Sequence, residues 1–171
     1  MHAPVDPRQF RNALGTFATG VAVITTRGPR GELVGNTANS FNAVSLEPPL
    51  VLWSLGRSAL SFKAYLSTDH FAINVLREEQ RHLSTTFAQA LADKWSDLAF
   101  ETWDTGCPIL TEALANFECR TRATYEGGDH VIFLGEVIRM RSVGDGRPLL
   151  YFRGDYSALK PAEASNQTPP I

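Results

Sequence analysis

Side chains that usually mark a metal or hydrolytic centre are scarce, with 2 cysteines and 4 histidines in 171 residues. Cys107 and Cys119 form no CxxC and lie near no histidine in sequence, so no metal is expected. A disulfide is unneeded in a chain of this size, and two reduced thiols are expected, with Cys119 packed in a core. His2, His70 and His82 make no pair at ligand spacing, and GxSxG, a Cys-His pairing and a plausible carboxylate pair are all missing. Hydrolytic chemistry has no support. No GxGxxG follows a strand, which leaves a Rossmann dinucleotide site unsupported. Neither sign of charge dominates: 16 Lys and Arg face 18 Asp and Glu, mixed throughout, whereas a nucleic-acid binder would show a basic face. No apolar run approaches the ~20 residues that span a bilayer. The start, MHAPVDPRQF, has no basic segment leading into an apolar one, so no signal peptide is read and a cytoplasmic protein is expected.

What is present is the composition of an ordinary globular protein, 43% hydrophobic and 20% charged. One domain over residues 1–160 is expected, and the polar, proline-bearing end, residues 161–171, reads as a frayed tail. Asp6-Pro7 reads as a helix start, with Phe10, Ala13, Leu14 and Phe17 at helical spacing behind it. GVAVITT (Gly20 to Thr26) is β-branched and predicts a strand, GPRGE turns the chain, and the return strand runs through LVGNTANSF. LVLWSL (Leu50 to Leu55) and FAINVL (Phe71 to Leu76) are further strands. Helices are expected over Ser58 to Leu66, with Ser58 as N-cap and Phe62, Tyr65 and Leu66 inward, and over Glu78 to Leu91. Asp93 to Pro108 reads as a packed covering loop. In Phe117 to Glu126 a strict period of two sets Phe117, Cys119, Thr121, Ala123 and Tyr125 against Glu118, Arg120, Arg122, Thr124 and Glu126, one face buried and one wet. HVIFLGEVIRMRSV and LLYFRG complete about six or seven antiparallel strands with two or three helices. That count points to a small, closed or nearly closed barrel, mainly β and decorated by helices.

Four stretches carry candidate chemistry. In GNTANSFNAVSLEPPLVLWSL (Gly35 to Leu55), short amides and hydroxyls crowd the entry to an apolar run. They suit either a solvated loop or the polar edge of a flavin, with Thr37, Asn39, Ser40 and Ser45 as rim and Phe41, Val44 and Trp53 as apolar walls. GRSALSF joins Arg57 and Ser58 to Ser61 one turn later, as an ordinary serine cap or a phosphate site. GGDH (Gly127 to His130) is a tight turn that sets Asp129 and His130 at the mouth of a sheet, where a histidine could orient a nicotinamide or supply a proton. YFRGDY (Tyr151 to Tyr156) could stack on a ring and bind phosphate, or simply close a barrel.

The order of these stretches, from FRNALGTFATGVAVITT through GNTANSFNAVSLEPPLVLWSL, the Ser-rich turn, FAINVL, GDH and YFRG, closely resembles the short-chain flavin reductase family. These are the reductase components of two-component flavin-dependent monooxygenases. The likeness runs from about Phe10 to Leu159. It implies an antiparallel split β-barrel of the FMN-binding kind, usually a homodimer, that uses NADH or NADPH to reduce free FMN or FAD. Reduced flavin then passes to a separate oxygenase component.

By resemblance, Thr37, Asn39, Ser40 and Ser45 match the flavin-edge segment, with Ser54 added from the following strand. Arg57, Ser58, Ser61 and Phe62 match the turn near the ribityl-phosphate. His130, in the Gly128-Asp129-His130 turn, matches a nicotinamide-side histidine and is the candidate catalytic residue. Tyr151 and Arg153 match the closing strand. The family often has serine where this chain has Ala43, and Arg57 is the one evident phosphate cation, so FMN and FAD both stay open. A non-catalytic flavin or haem carrier on the same barrel is the alternative reading.

Overall fold

The computed structural model describes residues 4–90 and 93–160. The expected frayed tail, 161–171, and Leu91 at the end of the expected second helix lie outside the described residues. The first helix, α1 (Pro7–Leu14), begins as the sequence predicts: the Asp6 carboxylate accepts a hydrogen bond from the Gln9 amide at 2.8 Å, and proline occupies the first turn. It buries none of its own residues.

The body is a seven-stranded antiparallel sheet. Its strands are β2 (Ala22–Arg27), β3 (Leu33–Ala38), β4 (Asn42–Leu46), β5 (Pro49–Gly56), β6 (His70–Val75), β9 (Ala115–Gly127) and β10 (His130–Ser142). They run in the order β3-β2-β6-β9-β10-β5-β4. The Ser40 hydroxyl bridges the far ends of that order, accepting from the Ser54 amide at 2.9 Å and donating to its carbonyl at 3.2 Å. A three-stranded sheet joins β1 (Thr19–Gly20), β11 (Leu150–Phe152) and β12 (Asp155–Ser157), and β7 (Phe100–Thr102) pairs with β8 (Pro108–Leu110). The remaining helices are the short α2 (Phe62–Leu66) and α3 (Arg81–Ala88), the latter entered through a 3-10 turn at Glu78–Gln80.

The β-branched β2 is buried from Ala22 to Thr26 because both its faces are covered. Ala22 and Ile24 point into a core with Trp53, Tyr65, Phe71, Ile73, Cys119 and Phe133. Val21 and Val23 join a second core with Leu76, Leu83, Phe87 and Leu110 under α3. Trp53 stacks on Phe133 with centroids 4.7 Å apart, at the centre of the first core. It therefore belongs to the core and lines neither of the cavities beside α3, in place of the apolar site wall that the sequence suggests.

Four other expectations are corrected. The strand through LVGNTANSF stops at Ala38, and the chain turns into β4, an edge strand whose outward residues gave no alternating signal. The Ser58 to Leu66 helix shrinks to Phe62–Leu66, because successive turns from Gly56 to Ala59 and Ala59 to Phe62 occupy its expected first half. Ser58 caps nothing, and Leu66 faces solvent. The covering loop is real, but it contains the β7–β8 pairing. Finally, Glu118 belongs to the face expected to be wet yet is fully buried. The 93–110 segment lies over it, and its carboxylate accepts from the Thr105 amide at 2.8 Å and hydroxyl at 2.6 Å.

Candidate functional site

Two adjoining cavities meet at Ala88, the last residue of α3. The larger, about 390 Å³, is lined by β3 from Leu33 to Asn36, by Ser58 to Ser61, by Ala88 to Ala90, and by Lys94 and Trp95. The smaller, about 230 Å³, is lined by Val21, Thr37, Asn39, Ser84, Ala88, Tyr151 and Tyr156. Gly35 makes this arrangement possible. A Cβ there would stand 2.4 Å from the Phe87 ring and 3.2 Å from Trp95, so only glycine lets α3 and the 93–96 turn approach the sheet.

Polar chemistry divides between the two spaces. In the larger one, the Ser61 hydroxyl is buried with no hydrogen-bond partner among the described residues. Lys94 is the one cation among the residues lining it. Its ammonium donates to the Phe87 carbonyl at 3.1 Å and more loosely to that of Gly35 at 3.5 Å, and burial lowers its pKa. The neighbouring Asp93 carboxylate holds the turn by accepting from the Ser96 hydroxyl and the Trp95 and Ser96 amides, and these bonds lower its pKa. The Trp95 indole donates to the Leu33 carbonyl at 3.0 Å and meets Phe87 edge-on at 5.0 Å. In the smaller space, the Thr37 hydroxyl donates to the Ser84 carbonyl at 2.6 Å, and Tyr151 and Tyr156 stand edge to face at 5.6 Å.

Of the expected site residues, Thr37, Asn39 and Tyr151 line the smaller cavity, and Ser58 and Ser61 the larger. Ser40 spends its hydroxyl on the Ser54 backbone, so these two act as a joint near the rim. Ser45 lies on β4 opposite Leu50 and lines neither cavity. Phe41 packs against the barrel core, and Val44 is half exposed on the edge strand. Arg57 is turned away from the cavity. Its amide donates to the Asp129 carbonyl at 2.9 Å, its guanidinium donates to the Gly128 carbonyl at 3.2 Å and pairs with Glu126, and it lies 5.8 Å over the Phe62 ring. It thereby fastens the GGDH turn beside Ser58.

Within that turn Gly128 has φ +72°, a conformation that favours glycine. His130 Nδ1 donates to the Asp129 carboxylate at 2.7 Å, and this bond is the main cause of the lowered Asp129 pKa. The imidazole packs beside Gly56, where a Cβ would lie at ordinary contact distance, 3.6 Å from its Nε2. Arg153 sits at φ +50° in the β11–β12 turn, exposed and stacked on Phe152 at 5.1 Å, away from both cavities.

Sequence reasoning missed Lys94 and Ser84, and it gave no individual role to Asn36 or Tyr156, although both lie in its candidate stretches. Lys94 sits in an aperiodic stretch, and its one local signal is the Asp93 turn that precedes Trp95 and Ser96. A wider polar depression, about 540 Å³, lies at Glu101 to Asp104 and Arg139 to Arg141. Its arginines are already paired, Arg139 with Asp104 and Arg141 with Glu101, and both cover Trp103.

The chain matches the flavin reductase like domain over residues 14–160. It belongs to that family. It is 46% identical over 151 residues to the FMN reductase (NADH) SmoA of Agrobacterium fabrum, covering 88% of this chain and 85% of the relative. It is 40% identical over 157 residues to HsaB of Rhodococcus jostii, a flavin-dependent monooxygenase reductase subunit, covering 92% and 80%. It superposes with a TM-score of 0.87 and 36% identity on the Streptomyces globisporus NADH:FAD oxidoreductase SgcE6, solved with NAD and FAD fragments, covering 94% and 99%. Some relatives are longer: the chain spans 48% of a probable flavin reductase of Rhizobium meliloti. The mainly β, antiparallel split-barrel fold that the resemblance implies is the fold of this family.

Proposed function

We propose that this flavin reductase-like chain oxidises NADH and reduces free flavin, FMN or FAD, for use by a separate monooxygenase. The observation that carries this reading is the paired cavity, with a phosphate-suited end and a ring-suited end. An orphaned buried hydroxyl at Ser61 and the Lys94 ammonium fit a phosphate. Thr37, Asn39 and the edge of Tyr151 fit a heteroaromatic ring with a polar rim. The residues present therefore fit a flavin, and the chemistry a bound flavin supplies is a ring that accepts hydride.

What the protein adds is placement. Ser58, Ser61, Asn36 and Lys94 hold the phosphate end, and Thr37, Asn39 and Tyr151 the ring end. The Ser40–Ser54 joint keeps the intervening backbone rigid. His130, aimed by Asp129 in the turn that Arg57 fastens, orients the nicotinamide against the flavin ring. Its replacement by alanine is expected to raise the KM for NADH about three- to ten-fold while flavin affinity moves less. Equal NADH kinetics in the two proteins would remove that role.

A homodimer is part of the proposal. Phe10, Leu14 and Phe17 are 55%, 58% and 74% exposed on and just after α1, an apolar set that a second copy would cover. Sedimentation equilibrium tests this, with a monomer at micromolar concentration as the contrary result. Among the described residues no helix is long and apolar enough to cross a membrane. A cytoplasmic setting, with its NADH supply, completes the reading.

The function is tested by following NADH absorbance with purified protein and FMN, FAD or riboflavin, with NADPH run alongside. Flavin-dependent turnover is expected. Flavin binding without turnover would favour the carrier alternative.

A further inference from the structure

Tyr156 ends the YFRGDY stretch but carries no individual role in the sequence reading, yet it ties three walls of the smaller cavity together. It stands directly opposite Tyr151 in the β11–β12 pairing. Its phenol shares a 2.8 Å hydrogen bond with the Ser84 hydroxyl. Ser84 is fully buried on α3, and its carbonyl accepts the Thr37 hydroxyl at 2.6 Å. A single buried residue thus relays the position of β12 to α3 and on to β3. From outside, the Arg81 guanidinium lies 4.7 Å over the Tyr156 ring and reaches the Asp155 carboxylate at 3.7 Å, which fixes the ring from its other side.

We infer that Tyr156 is a positioning residue for the flavin ring, acting through Ser84 on Thr37 and through its edge contact on Tyr151. The inference rests on the two-cavity reading above. A tyrosine whose hydroxyl merely satisfied a core serine would have its partners inside a packed core. Here Thr37, Ser84, Tyr151 and Tyr156 all line the same cavity, so the hydrogen bond sets that cavity's width. The ring-binding end is shaped by this bond, while the phosphate-binding end is held separately by the Lys94 turn.

The test compares the full chain with Tyr156→Phe, Ser84→Ala and the double variant. Riboflavin and FMN dissociation constants are read from flavin fluorescence, and melting temperatures are taken without ligand. Tyr156→Phe is expected to weaken riboflavin and FMN equally, by about two- to ten-fold, the range of one hydrogen bond. It also strands the Ser84 hydroxyl, so its melting temperature falls. In the double variant both polar partners are gone, so stability returns toward wild type while flavin affinity stays weak. Unchanged flavin affinity in Tyr156→Phe, or affinity that recovers together with stability in the double variant, would overturn the assignment. Wild-type protein that binds neither flavin would instead strike down the two-cavity reading on which it rests.

Discussion

Lys94→Met is expected to weaken FMN binding roughly 10- to 100-fold and to leave riboflavin binding nearly unchanged. The only ligand difference between the two is the phosphate, so the ratio isolates the charge-assisted contact from every effect on the ring. The substitution keeps an unbranched side chain of similar reach. It removes one donor to the Phe87 carbonyl near the end of α3, a modest structural loss. The same group predicts a pH dependence. Burial lowers the Lys94 pKa, so the ammonium is present at low pH and is lost as pH rises, starting below the ordinary lysine range. The ratio of FMN to riboflavin affinity should therefore fall with rising pH in wild type and stay flat in the variant. Equal losses for both flavins would show that Lys94 acts on the fold and not on a phosphate.

Gly35→Ala is expected to damage both stability and binding, without regard to the phosphate. The new Cβ would stand 2.4 Å from the Phe87 ring, a distance that cannot persist, and the ring is fully buried between β3 and Trp95. Relief requires α3 or the 93–96 turn to move outward, at about 1–3 kcal/mol. For a chain of this length that is a fall of about 3–10 °C in melting temperature. Because Ala88 and Lys94 ride on the elements displaced, FMN and riboflavin should weaken alike, in contrast to Lys94→Met. Thermal unfolding with and without each flavin reads both effects. A variant as stable as wild type would contradict a close packing of Phe87 on Gly35.

The two substitutions also mark where sequence reading succeeded and where it failed. The fold was legible where local pattern and tertiary burial agree. Of the expected buried face in Phe117 to Glu126, Phe117 and Cys119 reach the barrel core, Thr121 and Ala123 are partly buried, and Tyr125, near the strand's end, is exposed. The β-branched run of β2 is covered on both faces. Glu118 broke the pattern because its cover comes from a segment 13 residues away that has no periodicity of its own. Short hydroxyl and amide residues were legible as a cluster, but not by role. Thr37 lines the ring-suited cavity, Ser40 spends its hydroxyl closing the barrel, and Ser45 sits on an edge strand, although all three have the same chemistry. Arg57 and Lys94 exchange the roles that proximity suggested. Arg57, adjacent to Ser58, is drawn to Glu126 and the Gly128 carbonyl across the sheet. Lys94, more than 30 residues from Ser58 in sequence, is brought to the cavity by Trp95 packing on Phe87. Such placements depend on contacts between distant segments, which neither propensity nor spacing encodes.

The most direct test of the site is amide hydrogen exchange of the full chain with and without saturating FMN. Protection is expected in three separate segments: Gly35 to Asn39 on β3, Ser58 to Ser61 before α2, and the turn at Lys94 and Trp95. Protection confined to the Glu101–Arg141 depression, or absent from all three segments despite FMN binding, would contradict a flavin site at the paired cavities.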